Sequence, residues 1–127
     1  LAANHTAVVY TSRRLILAQV NQPQENLAVS VEISKALSSL AALLHIRPGY
    51  ILAKGGITSS DVGVRGLGVR RAWVLGQLLP GVPVWRTDDE SRFPGLPYVI
   101  FPGNVGSEDS LRQAVEILEA ARKAYAQ

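Results

Sequence analysis

Apolar residues along this chain fall into short dense runs and two longer stretches with a period near that of a helix turn. TAVVYTS (6–12) joins β-branched residues to a tyrosine and predicts a short buried strand. NLAVSVEISKALSSLAALLHI (26–46) puts Ile33, Leu37, Leu40 and Leu44 on one face, with Leu43 beside them. That spacing predicts an amphipathic helix, which RPG (47–49) stops. YILAKGG (50–56) predicts a second strand ending in glycines, and TSSDVGVRGL (58–67) a short helix weakened by Gly63 and Gly66. RAWVLGQLL (71–79) predicts a third strand, PGVPVWR (80–86) a turn into a fourth, TDDESRFPG (87–95) a polar loop and PYVIFPG (97–103) a fifth strand. SEDSLRQAVEILEAARKAYA (107–126) predicts a closing helix with Leu111, Val115, Leu118, Ala121 and Tyr125 on its buried face.

Strands that alternate with helices in this order predict one α/β layered domain. The expected architecture is a mixed, mostly parallel sheet covered by helices 26–46 and 107–126. Open sheets of this kind bind ligands beyond the carboxyl ends of their strands. Both glycine-rich turns, 55–58 and 103–106, follow a predicted strand.

Composition narrows the function classes. The chain has 127 residues, 47% hydrophobic and 18% charged, the profile of an ordinary globular domain. It has no cysteine, which excludes a thiolate metal site and a cysteine nucleophile. It has no methionine and opens on Leu1, so the expectation is an excised domain or processed fragment. A net charge of +3 comes from scattered pairs, Arg13 with Arg14 and Arg70 with Arg71, with few aromatics nearby. Solvated surface is the better reading of those pairs, and no nucleic-acid partner is expected. No apolar run approaches the roughly 20 residues of a membrane span. A cytoplasmic location and no membrane partner are the expectations.

The glycine turns carry the candidate chemistry. Gly55 and Gly56 permit positive φ and close approach of backbone to a ligand. Thr58, Ser59 and Ser60 offer hydroxyls, each able to cap the next helix. The segment is neither a Walker A loop nor a dinucleotide fingerprint. Two readings stand side by side: a phosphate cradle, or a tight strand-to-helix turn whose hydroxyl caps. In FPGNVGSEDS (101–110), Pro102, Gly103, Asn104 and Gly106 form a similar turn, Ser107 is a natural N-cap, and Glu108 and Asp109 complement the helix start. For Glu108 and Asp109, capping outweighs a magnesium role. His5 and His45 have no partner spacing for metal or acid–base work. Asp88, Asp89 and Glu90 read as solvated, and Trp73 and Trp85 as core packing.

In combination, GG-x-T-S after a strand, G-Q-x-x-P-G-V-P in mid-chain and P-G-N-x-G-S-x-D before the last helix resemble the C-terminal nucleotide-binding domain of the four-carbon acid sugar kinases. The resemblance runs from VVYTS to the final helix. It implies that the whole of 1–127 is most of such a domain, the ATP-binding lobe of a phosphotransferase acting on tetronates such as 3-oxo-tetronate, D-threonate and D-erythronate. It implies that Gly55, Gly56, Ile57 and Thr58, with Gly103, Asn104 and Gly106, line the site for ATP or ADP. The family often has a lysine before PGN and an aromatic after it; this chain has Phe101 and Val105 there. Mg2+, the acid sugar and the catalytic base are implied to be handled partly by an N-terminal domain absent from this sequence. No residue here is assigned as catalytic or metal-binding, and the isolated domain is expected to be inactive. A homo-oligomer is compatible with the resemblance. The alternative is a non-catalytic α/β module that binds another phosphorylated ligand.

Overall fold

The structure, a computed structural model, describes residues 5–12 and 23–125. Its elements are α1 (Pro23–Ala42), β1 (Ile51–Lys54), α2 (Gly56–Asp61), a π-helical turn (Val62–Gly66), β2 (Ala72–Leu79), β3 (Val82–Thr87), β4 (Pro97–Phe101) and α3 (Ser110–Tyr125). The strands form one mixed sheet in the order β1-β4-β3-β2. β1 and β4 run parallel, Ile51 opposite Tyr98 and Lys54 opposite Phe101. β3 is antiparallel to both β4 and β2. Pro80 and Gly81 close the β2–β3 hairpin; Gly81 has φ 78°, and its N–H donates to Gln77 Oε1 at 3.0 Å.

The pleat sorts β4 between two cores, because successive side chains of a strand face opposite ways. Tyr98 and Ile100 join Ala53, Val62, Leu67, Phe93 and Leu96 under the helical side built by α1, α2 and the π turn. Val99 and Phe101 join Val82 and Ala114 under α3. Full burial of such side chains stabilises by about 1.5–3 kcal/mol each. The layered α/β expectation therefore holds, with helices on both faces.

Four expectations are corrected. Residues 5–12 form no strand, and Val8, Val9 and Tyr10 are exposed. The segment is tied down by side chains instead, the Thr6 hydroxyl donating to Glu119 Oε1 at 2.5 Å.

The face of α1 also departs from expectation. The helix packs through its small residues, Ser34, Ser38 and Ala41, while Ile33 and Leu40 are exposed and Leu37 and Leu44 are half-buried. The reason is close approach: a Cβ on Gly66 would lie 2.8 Å from the Ser38 carbonyl oxygen and 2.9 Å from Ala41 Cβ. Only small residues fit at that contact. The Ser34 hydroxyl also donates to Asp61 across it.

Thirdly, α3 starts at Ser110, and the Ser110 hydroxyl accepts the Ser107 N–H at 2.8 Å, so Ser107 lies ahead of the helix. Ser110 and Ala114 are buried in α3, Val115 and Leu118 are half-buried, and Leu111 and Ala121 are exposed. The Tyr125 side chain lies outside the described residues.

Finally, Asp88 is buried. Its carboxylate accepts the N–H of Arg71 at 2.8 Å, of Arg70 at 3.0 Å and of Glu90 at 2.9 Å. Those bonds, the Arg71 amide foremost, hold the carboxyl below the usual range against the opposing effect of desolvation. Asp88 thereby pins the strand-to-strand loop to the entry of β2.

Candidate functional site at the carboxyl ends of β1 and β4

Because β1 and β4 are parallel neighbours, their carboxyl ends lie on one edge of the sheet, and so do the two glycine turns. The Gly55 N–H donates to the Phe101 carbonyl at 2.8 Å, extending the β1–β4 ladder into the turn. A Cβ on Gly103 would lie 3.9 Å from Gly55 Cα, its nearest neighbour. Turns 48 positions apart therefore face each other across one crevice.

The glycines differ in what holds them. Gly55 has φ 103°, a conformation other residues rarely adopt, so the turn itself requires it. Gly106 has φ 88°, and a Cβ there would press on the Ser110 side chain at 2.6 Å, which accounts for it structurally. Gly56 and Gly103 have neither requirement. Neither has positive φ, and a Cβ on Gly56 would meet no atom within 4 Å. Nothing in the packing of the chain asks for glycine at these two crevice positions.

The hydroxyls after the turn are also distinguished. Ser59 is buried, and its hydroxyl donates to the carbonyls of Ala53 at 2.8 Å and Gly55 at 2.7 Å. It braces the turn from inside. Thr58 leans over it, its Oγ1 3.7 Å from where a Gly55 Cβ would stand. Ile57 and Ser60 are exposed. No side chain caps α2; Gly55 is its N-cap residue. The first-turn N–H groups of α2 have no acceptor within the helix. Asn104 is exposed beside Gly103.

Sequence reasoning missed Lys54. It is the last residue of β1, with its ammonium 4.2 Å from the centre of the Phe101 ring and 3.5 Å from the Pro102 carbonyl oxygen. A lysine thus stands at the PGN loop, delivered by the neighbouring strand rather than by position 101. Its place immediately before the glycine pair in AKGG was the available signal.

The acidic residues do not converge on the crevice. Asp109 pairs with Arg112 at 3.2 Å, and Asp61 with Arg65 at 3.6 Å. Among the described residues no group of three or more His, Asp or Glu stands together as a metal site. The described residues do not fit a protein-held Mg2+ at the crevice. Arg70 and Arg71 face Glu90 at 3.9 and 3.3 Å. Among the described residues no helix is long and apolar enough to cross a membrane.

Two solved structures share this fold. One is a protein from Bordetella bronchiseptica containing a domain of unknown function (DUF1537), a domain-swapped dimer with bound citrate. It is 26% identical, with a TM-score of 0.60 over 68% of this chain and 22% of its own. The other is a Haemophilus influenzae DUF1537 protein, 26% identical, with a TM-score of 0.58 over 76% of this chain and 24% of its own. The chain thus spans about a quarter of the length of these proteins or less. No curated protein matches it. The model of a nucleotide-binding C-terminal domain family matches residues 1–111. With that match across most of its length, the chain belongs to the family of nucleotide-binding C-terminal domains.

Proposed function

We propose that the crevice between the two turns binds ATP, and that the chain is the ATP-binding lobe of a kinase phosphorylating a four-carbon acid sugar. The observation that carries the nucleotide reading is the pair Gly56 and Gly103, left as glycine without a conformational or packing need. A backbone that must lie against phosphate or ribose has no room for a Cβ. The backbone at 55–58 and 103–104 is the proposed contact surface, with the Thr58 hydroxyl and the Lys54 charge beside it. Phosphoryl transfer consists largely of positioning and charge stabilisation, which suits such a site. The tetronate assignment rests on the motif resemblance alone. The acid sugar and the base that accepts its hydroxyl proton belong to another domain in this proposal, and Mg2+ enters with the nucleotide's own phosphates.

The test is calorimetric titration of Gly56→Ala and Gly103→Ala with ATP, beside their melting temperatures. Neither variant should melt more than about 2 °C below the parent, and both should lose at least roughly tenfold in affinity, a loss of about 1.4 kcal/mol, since a backbone ligand pushed out by one methyl group is misplaced. Folded variants that bind ATP as the parent does would refute the site. Equal response to ATP and to unrelated phosphate esters would favour a non-catalytic phosphate-binding module.

A further inference from the structure

A cleft of about 370 Å³ runs from Gly56 along the flank of α2 and the π turn, over the sheet, towards Arg70 and Arg71. Its floor is Trp85, Tyr98 and Ile100, and its walls include Gly63, Val64 and Ala72. That size lies within the about 300–1,000 Å³ usual for small-molecule sites. We infer that this cleft seats the nucleobase of the bound nucleotide, an inference that rests on the nucleotide reading of the glycine crevice.

Gly56 belongs to both the crevice and the cleft, so a ligand whose phosphates lie at the glycine turns can run its ribose past Gly56 without crossing solvent. The chemistry of the lining then changes in the direction that a nucleotide changes. The turns offer backbone N–H groups and the Lys54 ammonium. The cleft offers an indole, a phenol ring and aliphatic side chains, a predominantly apolar surface.

The polar groups on the floor are already committed. The Tyr98 hydroxyl donates to the Ser59 carbonyl at 2.6 Å, and the Ser59 hydroxyl is bonded to backbone. What the floor leaves towards the ligand is ring and methyl surface, suited to a flat heterocycle, while Arg70 and Arg71 stand at the far end, facing Glu90 at 3.9 and 3.3 Å. Base stacking on aromatic side chains is worth about 1–3 kcal/mol per base, roughly five- to over a hundredfold in affinity.

The two tryptophans make this testable. Trp73 lies opposite Arg86 and Val74 opposite Trp85, so the two indoles face opposite sides of the sheet. In a Trp73→Phe background, Trp85 is the single indole. Its emission is followed while the 127-residue chain is titrated with ATP, adenosine and inorganic tripolyphosphate. ATP and adenosine should quench Trp85; tripolyphosphate should compete with ATP and leave the emission unchanged. Ala72→Phe, which fills the cleft from its wall, should lower ATP affinity at least tenfold and leave tripolyphosphate affinity within twofold. If that variant is unfolded by circular dichroism, Ser60→Phe at the exposed rim takes its place with the same expectation. ATP binding by calorimetry with silent Trp85 emission, or full ATP affinity in the filled variant, would overturn the base site while the phosphate crevice stands. Failure of both ATP and tripolyphosphate to bind would overturn the crevice and the base site together.

Discussion

The hydroxyl of Tyr98 donates to the carbonyl of Ser59 at 2.6 Å, from a strand into the middle of a helix. The N–H of Gly63 faces the same hydroxyl, so Tyr98 stands between the donor and the acceptor of what would be an ordinary i→i−4 helical bond. A side chain inserted there is a recognised cause of helix irregularity, and the backbone widens into the π turn directly afterwards. Gly63 lets the ring in closely: a Cβ on it would lie 3.3 Å from the Tyr98 ring, tighter than most such contacts. Tyr98→Phe should therefore destabilise the domain by about 1–3 kcal/mol, the cost of leaving a buried partner unsatisfied. Urea denaturation measures this directly, and a midpoint equal to the parent's would show that the helix closes its own ladder without cost.

The contact between α1 and the π turn is set by atoms, not by hydrophobicity. Gly66→Ala should destabilise by about 1–3 kcal/mol through overpacking against Ser38 and Ala41. Gly56→Ala, in open space within a helix, should be neutral or stabilising by up to about 1 kcal/mol. The pair of denaturation curves checks both the close approach and the claim that Gly56 has no structural duty. Equal losses for the two variants would contradict the assignment.

Asp88 predicts a pH dependence with a definite sign. Its carboxyl is held below the ordinary value, so the folded chain binds its proton more weakly than the unfolded chain does. The stability it contributes is complete above the unfolded carboxylate range near about pH 4 and is lost as pH falls through the lower folded value. The melting temperature of the parent should exceed that of Asp88→Ala by a constant margin from neutral pH down to about pH 5, and the margin should shrink below about pH 4. A gap that does not change with pH would locate the contribution in packing rather than charge.

At the crevice, Thr58 leans over the glycine turn and Ser60 does not. Thr58→Val should raise the Michaelis constant for ATP more than Ser60→Ala does in the enzyme that carries this domain. Lys54→Ala should also weaken ATP binding, by roughly three- to tenfold, with the effect fading as salt screens it. Its melting temperature should stay close to the parent's, because an exposed cation–π contact is worth only about 0.5–1 kcal/mol. A larger effect for Ser60 would overturn the placement of the nucleotide along the turn.

The strands that flank the glycine turns, and the turns themselves, were legible because each is a β-branched or aromatic run ended by Gly or Pro. The face of α1 was not. Periodicity finds the large apolar stripe, Ile33 to Leu44, but the neighbour that approaches closest is Gly66, and only the Ser34–Ser38–Ala41 stripe fits against it. Segment 6–12 has the composition of a strand, yet pairing is a long-range property that composition does not contain. Asp88 looked like solvated loop because the amides it accepts from, at 70 and 71, are 18 and 17 positions away. Lys54 was hidden for a similar reason: its neighbour at the PGN loop comes from another strand.

That same parallel pairing has a thermodynamic corollary. The two halves of the crevice are brought together by the β1–β4 ladder, whose paired residues Ile51 and Tyr98 are 47 positions apart. Closing so long an interval is a late and entropically costly event in assembly. No fragment holding one turn contains half a binding site in any useful sense, because neither turn has its facing wall until the sheet is complete. Ligand occupancy and closure of the sheet are thus one linked equilibrium. A nucleotide at a hundred times its dissociation constant would shift that equilibrium by about 2.7 kcal/mol, and it would do so as a clasp on the fold, holding together the strands that create its own site.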